Sequence, residues 1–124
     1  MKFLMISSFL PSALNFRGKL LEAISLLGYE VHIMAPELNQ FPDEHRKLIA
    51  LGYQVHEIPM QRTGTNPVAD LKLLKHLYQQ IRQIQPDVVL SYTIKPVIYG
   101  TLASWLAKVP HRFALITGLG YAFQ

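Results

Sequence analysis

The chain reads as an α/β fold: a Rossmann-like parallel sheet of about five strands, with helices on both faces. Three observations predict it. Short uncharged apolar runs alternate with helix-period stripes along the whole chain. The runs are continuously apolar, as strands buried on both faces are, rather than alternating. Glycine or proline falls at nearly every junction between a run and a stripe. Alternation of this kind gives parallel strands joined by helical crossovers. Right-handed crossovers then give the order 3-2-1-4-5.

Each element has its own signal. Phe3-Leu4-Met5-Ile6 is the first strand. Phe16, Leu20, Ile24 and Leu27 recur at helical spacing and predict a helix over 15–27, stopped by Gly28. Val31 to Met34 is the second strand, ended by Ala35-Pro36. Asp43 is placed to cap a helix over 44–51, closed by Gly52. Val55 to Ile58 is the third strand. After a polar loop over 61–66, Asn66-Pro67 supplies a cap and a first-turn proline. Leu71, Leu74, Leu77, Tyr78, Ile81 and Ile84 then form an apolar stripe. Asp87 to Ser91 is the fourth strand. A helix over 96–107, apolar nearly all round (Val97, Ile98, Leu102, Trp105, Leu106), is expected to be well buried. Phe113 to Ile116 is the fifth strand.

The segment Gly28-Tyr29-Glu30-Val31-His32 returns as Gly52-Tyr53-Gln54-Val55-His56. A duplicated unit is one reading. With a single period, the better one is a helix-stop glycine followed by a strand, used twice.

The totals exclude several classes. The 124 residues make one domain, 1–124, with 50% hydrophobic and 16% charged residues, so the chain is globular. Cysteine is absent, which removes disulfides and thiolate metal sites. The formal charge of +4 is unclustered; it suits a phosphate-bearing ligand or an anionic membrane face, and nucleic acid is not expected. The apolar start contains one lysine and is interrupted by Pro11, so it reads as a buried strand rather than a signal peptide. The five histidines lack zinc spacing, and no carboxylate pair suits acid/base work; no metal is expected.

In an open parallel sheet, ligands bind beyond the carboxyl ends of the strands. Three loops meet there: Ser7–Gly18, Ser91–Pro96 and Thr117–Tyr121. The first has no glycine before Gly18, so neither a dinucleotide fingerprint nor a P-loop is present. Ser8, Asn15, Arg17 and Gly18 stand there instead, near a helix start that favours anions. Ser91, Thr93 and Lys95 follow the fourth strand, and Thr117, Gly118 and Gly120 follow the fifth. These ten are the candidate substrate-binding residues, facing a polar, anionic ligand.

The carrying segments are Ser12 to Arg17 with Gly28 to His32, Asp87 to Pro96 with Tyr99-Gly100, and Arg112 to Tyr121. In these the chain resembles the N-terminal domain of glycosyltransferase family 4, of GT-B architecture. The match is to the bacterial subgroup acting on lipid-linked precursors of capsules, O-antigens and glycans. The resemblance implies retaining transfer of a sugar from a nucleotide-sugar, with this domain holding a lipid-pyrophosphate-linked acceptor through basic groups such as Arg17 and Lys95. It implies no cofactor beyond the nucleotide-sugar co-substrate, and a cytoplasmic protein, peripheral on the inner membrane face. Two departures stand out: Pro11-Ser12-Ala13 replaces a glycine pair, and Thr117-Gly118 replaces a histidine, so no catalytic residue is carried over. The chain is also short for the family. It is expected to be a truncated GT-B N-domain, incomplete at its C-terminal end, inactive without a donor domain or a separate donor-domain chain. The alternative is a non-catalytic nucleotide- or sugar-phosphate-binding module of the same fold.

Overall fold

The computed structural model describes residues 1–15, 17–60, 67–92 and 96–115. The five strands are β1 (Lys2–Ile6), β2 (Glu30–Ala35), β3 (Gln54–Glu57), β4 (Val88–Tyr92) and β5 (His111–Leu115). They form one sheet in the order β3-β2-β1-β4-β5, parallel at every pairing. The predicted order holds. The helices are α1 (Leu10–Asn15), α2 (Gly18–Leu26), α3 (Pro42–Ala50), α4 (Pro67–Ile84) and α5 (Thr101–Leu106).

Alternation along β1 divides the core. Phe3 and Met5 join Leu10, Ala13, Leu21 and Leu48 on the face covered by α1, α2 and α3. Leu4 and Ile6 join Leu73, Leu77, Ile81 and Ala103 on the face covered by α4 and α5. Burial of this apolar area, at about 25 cal/mol per Å2, is what holds the two layers to the sheet.

The repeated Gly-Tyr-x-Val-His segments are the same punctuation used twice. Gly28 (φ 94°) and Gly52 (φ 90°) end α2 and α3 in the left-handed region. In each case the next residue closes the turn: Tyr29 N–H to Ile24 O at 3.4 Å and Tyr53 N–H to Leu48 O at 3.2 Å.

Three expectations need correction. The helix foreseen over 15–27 is α2, which starts only at Gly18 because Arg17 (φ −116°, ψ 5°) lies off the helical path, and the loop foreseen before it holds a further helix, α1, whose first turn suits Pro11. Asp43 does not cap α3. Phe41 takes that place, Pro42 is the first helical residue, and Asp43 pairs with Arg46 at 2.9 Å within the first turns. The helix over 96–107 is a π-helical turn, Pro96–Gly100, followed by α5. It is not well buried: Ile98, Leu102, Trp105 and Leu106 are 39–60% exposed. The buried side of the segment is Pro96, Gly100, Ala103 and Ser104, with Tyr99 and Ala107 packed partly against the core. Among the described residues nothing covers the outer side.

Candidate functional site

The carboxyl edge around β1 and β4 is built from the backbone outward. Ser7 follows β1 directly, and its N–H donates to Met34 O at 2.8 Å, locking the end of β1 to β2. The Ser7 hydroxyl turns the chain locally: Phe9 N–H donates to it at 3.1 Å, and it donates to Phe9 O at 3.0 Å. That turn starts α1 at Leu10 and sets Ser12 one helical turn away from the strand.

The phenol of Tyr92, the last residue of β4, reaches this turn. It donates to Ser7 Oγ at 2.8 Å and lies 2.6 Å from Ser12 Oγ. Ser12 Oγ also donates to Phe9 O at 2.7 Å. Ser7 and Tyr92 are buried, 0% and 3% exposed, and Ser12 is half-buried, so the three hydroxyls form a network joining β1, α1 and β4 that is closed to solvent at two of its three members. The guanidinium of Arg17 lies over the Tyr92 ring, 5.2 Å from its centroid. Stacking of this kind is worth about 0.5–1 kcal/mol at partly exposed sites and fixes the plane of the cation. Arg17 Nε is buried and has no hydrogen-bond partner among the described residues. Gly18 opens α2 beside it, with open space where a side chain would stand.

The ten predicted positions fare differently. Arg17, Gly18 and Ser8 lie in the chain around this network, and Asn15 is the last residue of α1. Ser91 is not at the edge. It is 1% exposed and faces Gly100, beneath the π-helical turn. The reason is strand alternation: Leu90 and Tyr92 point to the α1 face, so Ser91 points to the α5 face. Its hydroxyl is buried without a partner. Thr93, Lys95, Thr117, Gly118 and Gly120 lie outside the described residues.

The sequence places the Tyr92 phenol at this edge, but Ser7, Ser12 and Tyr92 are not among the ten candidates. Period-2 alternation along Leu90-Ser91-Tyr92 was the available signal, since it separates the two polar residues onto opposite faces. The π-helical turn Pro96–Gly100 is anchored from the side: Tyr99 OH donates to Asp70 at 3.0 Å, and this bond, more than burial, pushes the phenol pKa up.

Chemically the cluster offers a fixed cation, hydroxyls and a helix start, with no carboxylate among its described members. It suits holding an anion rather than transferring a proton.

A model of the glycosyl transferase 4-like family matches residues 11–124. A Campylobacter jejuni protein, N,N'-diacetylbacillosaminyl-diphospho-undecaprenol alpha-1,3-N-acetylgalactosaminyltransferase, is 33% identical over 110 residues, 88% of this chain and 28% of that protein. Among solved structures, MurG of Acinetobacter baumannii superposes with a TM-score of 0.67 at 20% identity, over 94% of this chain and 33% of its own. A UDP-N-acetylglucosamine 2-epimerase superposes at 0.70 and 18% identity, over 98% of this chain and 36% of its own. At such identities the structural likeness shows the shared fold. The chain spans 28% of the length of the Campylobacter relative and 33–36% of these two structures.

Proposed function

The chain belongs to the glycosyl transferase 4-like family, and from that premise we propose that it forms the acceptor-side part of a retaining glycosyltransferase. The acceptor is a lipid-pyrophosphate-linked sugar, the class named for the Campylobacter relative. The donor is a nucleotide-sugar carrying a hexose or N-acetylhexosamine. In the transfer the bond from the sugar to the nucleotide's phosphate breaks and the nucleoside diphosphate leaves. An acceptor hydroxyl forms the new glycosidic bond and gives up its proton.

The observation that carries the acceptor role is Arg17: a guanidinium oriented on Tyr92, with a buried Nε that lacks a partner, at the carboxyl edge of a parallel sheet. A pyrophosphate supplies the acceptor oxygens such a group needs. Lys95, four residues beyond Ser91, is assigned to the same pyrophosphate, together with Thr93, Thr117, Gly118 and Gly120.

The groups that act on the donor bond are assigned to the part of the relatives that these residues do not span, so these residues bind acceptor and do not turn over by themselves. The reading assigns no resident cofactor or metal. It places the protein in the cytoplasm, peripheral on the inner membrane face where the lipid acceptor lies. No helix among the described residues is long and apolar enough to cross a membrane.

Calorimetry with a short-chain lipid-pyrophosphate-sugar analogue tests this. Arg17→Ala and Lys95→Ala should each weaken binding by about tenfold or more. Unchanged affinity in both removes the site assignment. Turnover by this chain alone with a nucleotide-sugar removes the claim that it needs a partner domain.

A further inference from the structure

A groove of about 430 Å3 lies at the amino end of the sheet, the end opposite the Arg17 cluster. Its size is inside the range of about 300–1,000 Å3 usual for small-molecule sites. Its walls are the last turn of α4, the turn into β4, and the turn from α5 into β5. β4 is five residues long, so at about 3.3 Å per residue the groove stands about 16 Å from the carboxyl edge. A group held by Arg17 does not reach it.

The two helix ends at this groove differ from the other two. α2 and α3 end in the left-handed region on Gly28 and Gly52. α4 and α5 end in the same region on Gln85 (φ 54°) and Lys108 (φ 61°). The backbone task is the same: Gln85 N–H donates to Ile81 O at 2.8 Å, and Lys108 N–H to Trp105 O at 3.1 Å. Glycine performs it without strain. What Gln85 and Lys108 add is an amide and an ammonium, and both residues line the groove.

The charge there is one-sided. Arg82 also lines the groove, with its guanidinium 5.7 Å above the Tyr78 ring one turn back. Lys108 makes no ion pair among the described residues. Two further cations are tied to the walls: Arg112 donates to Val109 O at 3.1 Å, and Lys2 Nζ to Ile84 O at 3.0 Å. One carboxylate lines the groove among the described residues, Asp87, and its Oδ2 already accepts the Lys2 N–H at 2.8 Å. A cation near a helix C-terminus complements the helix dipole, which accounts for Arg82. It does not account for a lysine kept in a left-handed position, or for four cations around one carboxylate. The helix-end carbonyls that would repel an anion are also engaged, Ile81 O by Gln85 and Ile84 O by Lys2.

We propose that this groove binds a small phosphate monoester, at a site separate from the one assigned to the acceptor. Lys108 and its neighbouring cations take the phosphate. The Gln85 amide and the second oxygen of Asp87 take hydroxyls of the esterified part, against the apolar Ile81 and Val109. A bilayer is the poorer fit, because its surface is flat and the groove is concave.

The test is an amide-shift titration of the isotope-labelled chain by NMR with glycerol 3-phosphate, inorganic phosphate and chloride at matched ionic strength. Both phosphates should move the amides of 82, 85, 87 and 109, the ester at the lower concentration, and chloride should not. Lys108→Gly removes the ammonium and keeps the left-handed turn. It should weaken the ester about tenfold and melt no lower than the parent chain, which separates lost binding from lost fold. Arg82→Gln should weaken the ester less. The site is overturned if saturating ester leaves those amides unmoved, if chloride moves them alike, or if neither substitution weakens binding. Sedimentation with phosphatidylglycerol vesicles that Lys108→Gly abolishes, without ester shifts, makes the groove part of a membrane surface and overturns the site as well. Amides near Arg17 report on the acceptor reading. Shifts there without shifts in the groove overturn this site and leave the acceptor reading standing. Groove shifts without shifts near Arg17 support this site by itself.

Discussion

The two ends of the sheet treat their polar groups differently. At the amino end they are paired. Lys2 N–H donates to Asp87 Oδ2 at 2.8 Å, Lys2 Nζ to Ile84 O at 3.0 Å, and Asp87 N–H to Lys2 O at 2.8 Å. Arg112 donates to Val109 O at 3.1 Å. At the carboxyl end stand the buried atoms without partners: Arg17 Nε, His76 Nε2 and Ser91 Oγ. Burying a polar atom unpaired costs about 1–3 kcal/mol, so a fold tolerates it where something else is gained. For Arg17 the proposed gain is a ligand. For Ser91 it is packing, and that distinction can be broken or sharpened experimentally.

The largest effect expected is from Gly100→Ala. A Cβ there would stand 2.6 Å from Ser91 Oγ and 2.9 Å from Ile6 Cδ1. Gly100 has φ −66°, so alanine is conformationally welcome, and helix propensity alone favours it by about 1 kcal/mol. Overpacking of this severity costs about 1–3 kcal/mol and should win, lowering the urea midpoint. Adding Ser91→Ala should recover part of the loss, since it removes the closest contact and leaves Ile6 Cδ1 at 2.9 Å and the Cβ of residue 91 at an ordinary 3.5 Å. If Gly100→Ala is neutral, the close approach does not explain the buried Ser91 hydroxyl, and Ser91 returns to the edge as a ligand group.

Asp87→Ala should cost less, about 1–2 kcal/mol, by stranding the Lys2 N–H at the half-buried amino end. Chemical denaturation measures the loss, and calorimetry should show acceptor-analogue affinity unchanged. A change in affinity as large as the stability change would erase the division between the two ends.

Much of this frame was legible beforehand. Buried parallel strands announce themselves as uncharged runs such as Phe3–Ile6, and Gly28 and Gly52 mark helix ends because few other residues take a left-handed turn so easily. The site was less legible, because its parts are close only in three dimensions. Ser12 and Tyr92 are eighty positions apart and meet through the β1–β4 pairing. The groove beside Lys108 joins the ends of α4 and α5 at the starts of β4 and β5, which no local spacing encodes. The apolar character of 96–107 misled for a different reason: composition gives an apolar helix, but burial depends on a neighbouring element that covers it. Ser91 misled because polarity was read without the face it occupies.

The smallest effect is a pH dependence from His32 and His56, the two histidines of the repeated segments. Their rings stack 5.3 Å apart, Nδ1 of His32 lies 3.0 Å from Nε2 of His56, and His32 Nε2 lies 2.7 Å from Glu30 Oε2. Burial first, and then the charge of His32, hold His56 below the usual histidine value of 6.5. The unfolded chain, free of both, takes up the proton more readily. The stability from His56 is therefore complete above about pH 6.5 and is lost as pH falls through the depressed folded value. Glu30 is held below its usual value chiefly by the His32 hydrogen bond and acts in the same direction at lower pH, but it is exposed to solvent and Lys2 and the N-terminus stand near it. The unfolding temperature should be flat above pH 7, decline below about 6.5, and decline less in His56→Gln. Because the network starts at the amino end with Glu30, acceptor binding measured by calorimetry should not follow that decline while the protein stays folded. A binding curve that tracks it would mean that the ends of the sheet are coupled through β2.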